Sequence, residues 1–508
     1  MLWIALHLPA LSLESFAATL GTLRHALPLA LLQGQRIAAA NGVAQQLGVK
    51  PSLKRATALA LAPQLRFGQA DAARDTQALR AVAHAALAFT PMVTLDHDAG
   101  LPCVLLEVRS SLRYFGGLPA LQQRLCTALA PLGHDVRLAS APTALGAALL
   151  ARWRPGFEQG EHVTDLKALH ERLDAVPVEL LGPGRAHHKA LQGMGLQCLG
   201  DLRWLPRAGL ARRFGEALLT DLDRARGDAP DPREALVPEP RFEARVELFE
   251  RADHSEQLLH GAQLLLAQLV AWAQAQHARV GGFVLAMRHE PRHRGDTNTP
   301  AHTELALALA EASNDAQHLQ LLLRERLARL PLPAPTLSLR LRCEQLQRGA
   351  PPNGELFPTA ASAQQGLLRL VERLQARLGP GRVQQPVPCA DHRPERGTTW
   401  QPALPPVATA RRGTPTAAAA QRLTRPVWLL PQPLALPEQQ SRPLLDGRPL
   451  QLLAGPERIE AGWWDAAHAA RDYFIAQAHD GALVWVYRQR LPQLEPAGEG
   501  WYLHGRFG

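Results

Sequence analysis

The sequence predicts a multidomain chain of mixed α/β and α+β class, and three observations carry that expectation. At 508 residues the chain exceeds what a single hydrophobic core ordinarily organises. Its apolar periodicity changes character along its length: strands alternating with helices, then short glycine-punctuated helices, then a strand–helix–strand–strand–helix–strand succession. A Pro-rich stretch finally gives way to an aromatic-rich, strand-like end. The changes divide the chain at 1–174, 175–235, 236–345, 346–450 and 451–508.

In the first segment, MLWIALHL alternates Leu2, Ile4, Leu6 and Leu8 with less apolar residues, the pattern of a half-buried strand. Pro9 ends it, having no N–H for a ladder. RIAAANGVAQQLGVKPSLKRATALALAPQLRF implies two short helices broken at Gly48 and Pro51. Val104–Val108 reads as a strand, Gly116-Gly117 as a turn, VRLASAP as another strand and TALGAALLARW as a helix.

Residues 175–235 have a helix-hairpin-helix pattern, in which backbone N–H groups at Gly-x-Gly turns can hold a phosphate. Gly182 and Gly184 are the expected backbone donors, with Lys189, Arg207, Arg212 and Arg213 as phosphate contacts. The alternative is a small helical linker whose glycines only cap helices. Residues 236–345 read βαββαβ, a ferredoxin-like split unit with one open sheet face. Residues 346–450 read as linker, interrupted by one helix with Leu367, Leu370, Val371, Leu374 and Leu378 on one face and Gly379-Pro380 at its end. In 451–508, RDYFIAQA and ALVWVYRQR flank Asp480-Gly481 as a hairpin, and WYLHGRF supplies a third strand.

Composition narrows the function. A net charge of +9 favours a polyanionic partner or an acidic protein surface. Nearly all of it is arginine, Lys50, Lys54, Lys167 and Lys189 being the only lysines, a bias that reflects codon usage more than function. The cysteines (Cys103, Cys126, Cys198, Cys343, Cys389) are far apart with no CxxC pair, so neither a disulfide framework nor a zinc site is expected. No stretch has the length and apolarity of a membrane span, and the start lacks a secretory pattern. The expectation is a soluble cytoplasmic protein without cofactor or membrane contact.

A strand end opening onto a helix is a common place for catalytic carboxylates, yet here it carries His7 and Pro9. Asp96-His97-Asp98, with Glu107 on the neighbouring strand, reads as a charged turn, the alternative being a relocated metal site.

Together, palm and fingers (1–174), a helix-hairpin-helix thumb (175–235) and a ferredoxin-like little finger (236–345) resemble a Y-family translesion DNA polymerase. The motifs DHRPE and GPERIEAGWW…RDYF…GALVWVYR…WYLHGRFG extend the resemblance over the whole chain, to the ImuB family, inactive Y-family homologues of bacterial mutagenesis complexes. In active Y-family enzymes two acidic residues at the end of the first strand bind the catalytic metals; the matching positions are His7 and Pro9. The second acidic pair, in the palm stretch matching residues 100–103, is likewise replaced, by Pro102 and Cys103. The residue that excludes ribose falls on Ser12, the triphosphate-contacting tyrosine and arginine on Gly42 and Gln45, and a later lysine on Ala148. Two-metal phosphoryl transfer needs carboxylates, so the resemblance implies a non-catalytic protein with no metal site.

Asn353, Gly354, Glu355, Leu356 and Phe357 resemble the peptides with which bacterial polymerases bind the β sliding clamp, with Asn353 where those have glutamine. The resemblance further implies primer-template DNA, a RecA-like accessory protein and an error-prone C-family DNA polymerase as partners, on the nucleoid. The function expected is a scaffold for translesion synthesis and damage-induced mutagenesis. Two alternatives stay open: an active Y-family polymerase with displaced metal ligands, and a DNA-structure-binding protein unconnected to replication.

Overall fold

The computed structural model describes residues 1–96, 101–153, 162–291, 300–348, 360–403, 425–465, 467–490 and 500–507. The chain forms two compact units, Met1–Leu368 and Arg369–Gly508.

The first unit opens with β1 (Trp3–His7) and α1 (Leu11–Phe16). A small lobe follows, of β2 (Leu29–Gln33), β3 (Arg36–Ala40), α2 (Gly42–Gln46), α3 (Arg55–Leu61) and β4 (Arg66–Gln69). Next come α4 (Ala72–Leu87), β5 (Val93–Asp96), β6 (Cys103–Glu107), α5 (Leu112–Phe115), α6 (Leu118–Leu129), β7 (Arg137–Ala141) and α7 (Ala144–Trp153). The two short helices expected around Gly48 are α2 and α3, but IAAA belongs to a strand.

Strands β5-β6-β1-β7 form an antiparallel sheet with β1 inside it. Leu2, Ile4, Leu6 and Leu8 pack on one side with α4 and α6, where Leu121, Leu125 and Leu129 make a stripe. Trp3 and Ala5 pack on the other side against α7. The expected half-buried strand is therefore buried on both faces. Alanine at position 5 is small rather than polar, and it lets α7 approach the sheet.

α8 (Leu166–Asp174) starts at Asp165, whose carboxylate accepts from Ala168 N–H at 2.9 Å. α9 (Gly182–Ala186), α10 (His188–Gly193), α11 (Arg207–Phe214) and α12 (Glu216–Arg226) follow. Leu173, Leu191, Leu210, Phe214, Leu218 and Leu222 join the core beneath α7, so these helices share a core with the sheet.

β8 (Phe242–Ala252), α13 (Leu259–Ala275), β9 (Ala278–His289), β10 (His302–Ser313), α14 (Ala316–Leu327) and β11 (Thr336–Arg348) realise the βαββαβ succession. Their sheet order is β10-β9-β11-β8, so an antiparallel strand splits each βαβ crossover. The ferredoxin-like expectation needs correction: the second and fourth strands of the unit, β9 and β11, are central here, where a ferredoxin-like sheet has its first and third. α13 lies against α4 through small residues: Ala271 shares a core with Ala78, Ala81 and Ala85. Gln77 and Gln268 are hydrogen-bonded at 3.1 Å, and the Phe16 and Phe249 rings lie 5.3 Å apart at the edge of this contact.

α15 (Ala360–Leu378) carries the expected leucine stripe, with Leu367, Leu370, Leu374 and Leu378 exposed. Beyond it, the expectation of linker up to residue 450 needs correction. β12 (Gln384–Pro388) pairs with β13 (Thr398–Pro402), and β14 (Trp428–Leu436) joins the C-terminal sheet. Proline misled the reading: Pro386, Pro388, Pro431 and Pro433 all sit on edge strands, where a missing N–H costs no ladder bond. β15 (Glu438–Gln439), β16 (Arg442–Leu445) and β17 (Arg448–Pro449) form a small three-stranded sheet.

β18 (Gln451–Ala461), β19 (Ala469–Gln477), β20 (Leu483–Gln489) and β21 (Trp501–Arg506) complete the order β14-β21-β20-β19-β18. The expected hairpin forms, with Gly481 at φ 86° in its turn. Leu436, Val486, Trp501 and Leu503 fill one face; Ile459, Tyr473, Trp485 and Tyr487 fill the other. Tyr473 stacks on Trp485 at 4.0 Å and shares a hydrogen bond with His504 Nδ1 at 2.7 Å. Arg393, from the DHRPE stretch, ties its loop to the one after β18 through Asp391, Asp465 and the Ala467 carbonyl.

Candidate functional site

The end of β1 is built by three strands. His7 stands opposite Cys103 of β6 and Arg137 of β7. Its ring is 3% exposed, and Nδ1–H donates to the Pro102 carbonyl at 3.0 Å. That carbonyl also accepts from Leu8 N–H at 3.1 Å. Burial, aided by the charges of Arg152 and Arg137, lowers the His7 pKa to about 4, so the ring is neutral at physiological pH. Cys103 is wholly buried, which pushes its thiol up to about 12. Pro9 is exposed and offers no ligand atom.

Asp96, the residue paired with Cys103 across β5 and β6, is taken up by arginines. Oδ2 accepts from Arg152 Nη2 at 2.5 Å and Oδ1 from Arg233 Nη1 at 3.2 Å. Arg233 also grips Asp231 through two contacts, at 3.0 and 2.9 Å. Glu107 lies at the opposite end of β6, accepting from the N–H groups of Leu2 (3.0 Å) and Arg109 (3.3 Å). The alternative metal set is therefore not brought together in its described members; His97, Asp98 and Gly100 lie outside the described residues. A neutral imidazole, a protonated thiol and a carboxylate already matched by two guanidinium groups do not suit Mg²⁺, which takes oxygen ligands. Among the described residues no cluster of three or more His, Cys, Asp or Glu could hold a metal ion.

The other matched positions are also engaged elsewhere. Ser12 Oγ donates to Asp75. Gln45 donates to the Ala40 carbonyl at 2.7 Å, and Gly42 opens α2 behind the Asn41 cap. Ala148 is buried in the core, so its side chain faces no ligand.

In the helical segment the sequence-predicted residues separate into two groups. Gly184 is buried in the five-residue α9, and a Cβ there would lie 2.1 Å from the Val178 carbonyl oxygen. Close packing accounts for this glycine, and Gly182 lines a cleft with Asp96, Arg152 and Arg233. The left-handed turns lie instead at Gly195 (φ 77°) and Gly215 (φ 83°), which sequence reasoning missed. Gly193-Met194-Gly195 and Phe214-Gly215 were the available signals. Gly215 precedes α12, whose N-terminus has no side-chain cap. Lys189, Arg212 and Arg213 are exposed and have no ion-pair partner among the described residues; Arg207 is exposed but bonded to Asp223 at 2.5 Å.

The outward face of the β8–β11 sheet is differently charged. Arg340 pairs with Glu243, Arg245 with Glu247, Arg342 with Glu304 and Arg279 with Glu311. Each of these arginines is matched by a glutamate, whereas Lys189, Arg212 and Arg213 of the helical segment have no ion-pair partner among the described residues. Asn353, Gly354, Glu355, Leu356 and Phe357 lie outside the described residues. No helix among those described is long and apolar enough to cross a membrane.

No family model matches the chain. Over 477 residues it is 30% identical to Protein ImuB from two strains of Caulobacter vibrioides, the alignment covering 91% of this chain and 100% of the relative. Among solved structures it is similar to an insertion ternary complex of Dbh DNA polymerase (TM-score 0.39, 16% identity). It is also similar to DinB from Sulfolobus solfataricus (TM-score 0.38, 16% identity). Each comparison covers 69% of this chain and 100% of the other.

Proposed function

Because the chain belongs to the ImuB family, we propose that it acts as a non-catalytic DNA-binding scaffold for translesion synthesis and damage-induced mutagenesis. One observation carries the non-catalytic reading. Where phosphoryl transfer needs carboxylates to hold two metal ions, the end of β1 carries a neutral buried His7 and Pro9, Cys103 faces His7 from β6, and Asp96, opposite Cys103 on β5, is paired with Arg152 and Arg233.

In this reading residues 1–174 act as a palm-and-fingers frame, 175–235 as a thumb and 236–345 as a little finger. DNA is held chiefly by the thumb, through Lys189, Arg207, Arg212 and Arg213; of these, Lys189, Arg212 and Arg213 have no ion-pair partner among the described residues, while the arginines of the sheet face are matched by glutamates. Asn353–Phe357 engage the β sliding clamp. The C-terminal β region recruits a RecA-like accessory protein and an error-prone C-family polymerase, which performs synthesis. The working place is the cytoplasm, on the nucleoid.

Primer extension with Mg²⁺ or Mn²⁺ tests this. The purified chain is expected to add no nucleotide. Template-dependent incorporation that follows the protein through purification, and is lost in Asp96→Asn, would make it an active polymerase instead.

A further inference from the structure

We propose that Trp204 stacks on an unpaired or unstacked base of bound nucleic acid. The proposal rests on the DNA-binding reading of the helical segment and adds to it a contact that is not electrostatic.

Trp204 ends a short 3₁₀ turn, Asp201–Trp204, between α10 and α11. The turn is fastened from two sides. The Asp201 carboxylate accepts from Gln197 and Cys198 N–H at 2.9 Å each, and Leu202 is buried in the core. Leu205 packs partly against the same core, and Pro206 stiffens the entry to α11. Between these anchors the indole is 90% exposed, more than any other tryptophan of the chain. Its neighbours hold the turn in place; the indole contributes nothing to that packing. A large flat apolar group on an anchored turn loses little conformational freedom when it meets a partner.

The charge around it identifies the partner. Between residues 182 and 215 there are six cationic side chains (Arg185, Lys189, Arg203, Arg207, Arg212, Arg213) and one carboxylate, Asp201, which is already occupied by backbone donors. Arg203 and Arg207 are bonded to Asp174 and Asp223 from outside this stretch, which leaves Lys189, Arg212 and Arg213 as exposed cations without an ion-pair partner among the described residues. A polyanion that also offers flat aromatic faces is a nucleic acid, and aromatic side chains set in a cationic surface are how proteins grip bases without reading sequence. Stacking needs a free base face, so the site fits a primer-template junction or an unpaired template nucleotide better than continuous duplex.

The experiment uses the full-length chain and a primer-template with 2-aminopurine at the first unpaired template position, titrated at several salt concentrations. Trp204→Ala is expected to weaken binding about tenfold at fixed salt and to abolish the change in 2-aminopurine fluorescence. Trp204→Phe should keep most of both. The slope of log affinity against log salt should be the same for Trp204→Ala as for wild type, since no phosphate contact is lost. Because the indole is exposed, the melting temperature should not move. If Trp204→Ala binds and quenches like wild type, stacking is overturned and the DNA-binding reading stands. If the wild-type chain has no affinity for primer-template at low salt, the DNA-binding reading falls, and stacking falls with it.

Discussion

Arg152 Nη2 lies 2.5 Å from Asp96 Oδ2, in a place almost closed to water. The pair joins the end of β5 to the last turn of α7. Arg233 adds the segment that leads from α12 to β8, and three residues on, Leu236 N–H donates to the Val93 carbonyl at 2.7 Å. A carboxylate beside the strand end therefore serves to fasten three segments of the first unit. A divalent cation would have to displace two guanidinium groups to reach it.

Removing Arg152 takes a charge-assisted hydrogen bond from the nearly buried Asp96 carboxylate and leaves Arg233 to compensate it. Arg152→Met is expected to destabilise the first unit by about 2 kcal/mol, read from urea unfolding. Adding Asp96→Asn should recover part of that loss, so the double variant falls short of the summed single effects. Strict additivity would mean that the two residues are not coupled.

His7 makes folding sensitive to acid. Its folded pKa of about 4 lies below the value of about 6.5 for a free histidine. Between those values the unfolded chain binds a proton that the folded one does not, so stability falls as pH drops from about 6.5 to about 4, then levels off. The span corresponds to at most about 3 kcal/mol. His7→Phe should flatten that part of the stability–pH curve relative to wild type. Parallel curves for the two proteins would refute the assignment.

Salt dependence separates the two basic surfaces. Neutralising Lys189, Arg212 or Arg213 to glutamine should each reduce the log–log salt slope of primer-template binding by about one unit. Arg340→Gln and Arg342→Gln should leave it unchanged, because each arginine already has a glutamate. A larger change in slope from the sheet variants than from the thumb variants would reverse the proposed binding surface.

The clamp peptide is predicted from sequence. A short segment that docks through two adjacent apolar anchors loses most of its affinity with them. Replacing Leu356 and Phe357 by alanine is expected to cost about 2–4 kcal/mol in clamp binding, a loss of about thirtyfold or more. DNA binding should be nearly unchanged, and Asn353→Gln should tighten the contact. Calorimetric titration of clamp into the three proteins checks this; equal affinity for wild type and the double alanine variant removes the motif.

The elements legible in sequence were those whose pattern is local. Leu367, Leu370, Leu374 and Leu378 recur at helical spacing and lie on α15. The Asp480-Gly481 turn and its flanking alternation sufficed for the β19–β20 hairpin. The βαββαβ succession could likewise be read from periodicity, but its sheet order could not. At the site, the identities of His7, Pro9 and Cys103 were plain from sequence. The packing of Gly184, the turns at Gly195 and Gly215 and the exposure of Trp204 were not.

By itself, then, the sequence determined which side chains stand at the end of β1, because register along one strand follows from its own alternation. It also determined the excess of positive charge between residues 182 and 215, which composition alone displays. Only the tertiary structure decided that Asp96 meets Arg152 and Arg233, partners 56 and 137 residues away. It also decided that β1 is covered on both faces and that proline-bearing β14 joins a sheet. The physical reason is the same in each case. Ion pairing, second-face burial and edge-strand position depend on where distant segments return in space, and local propensity carries no information about that return.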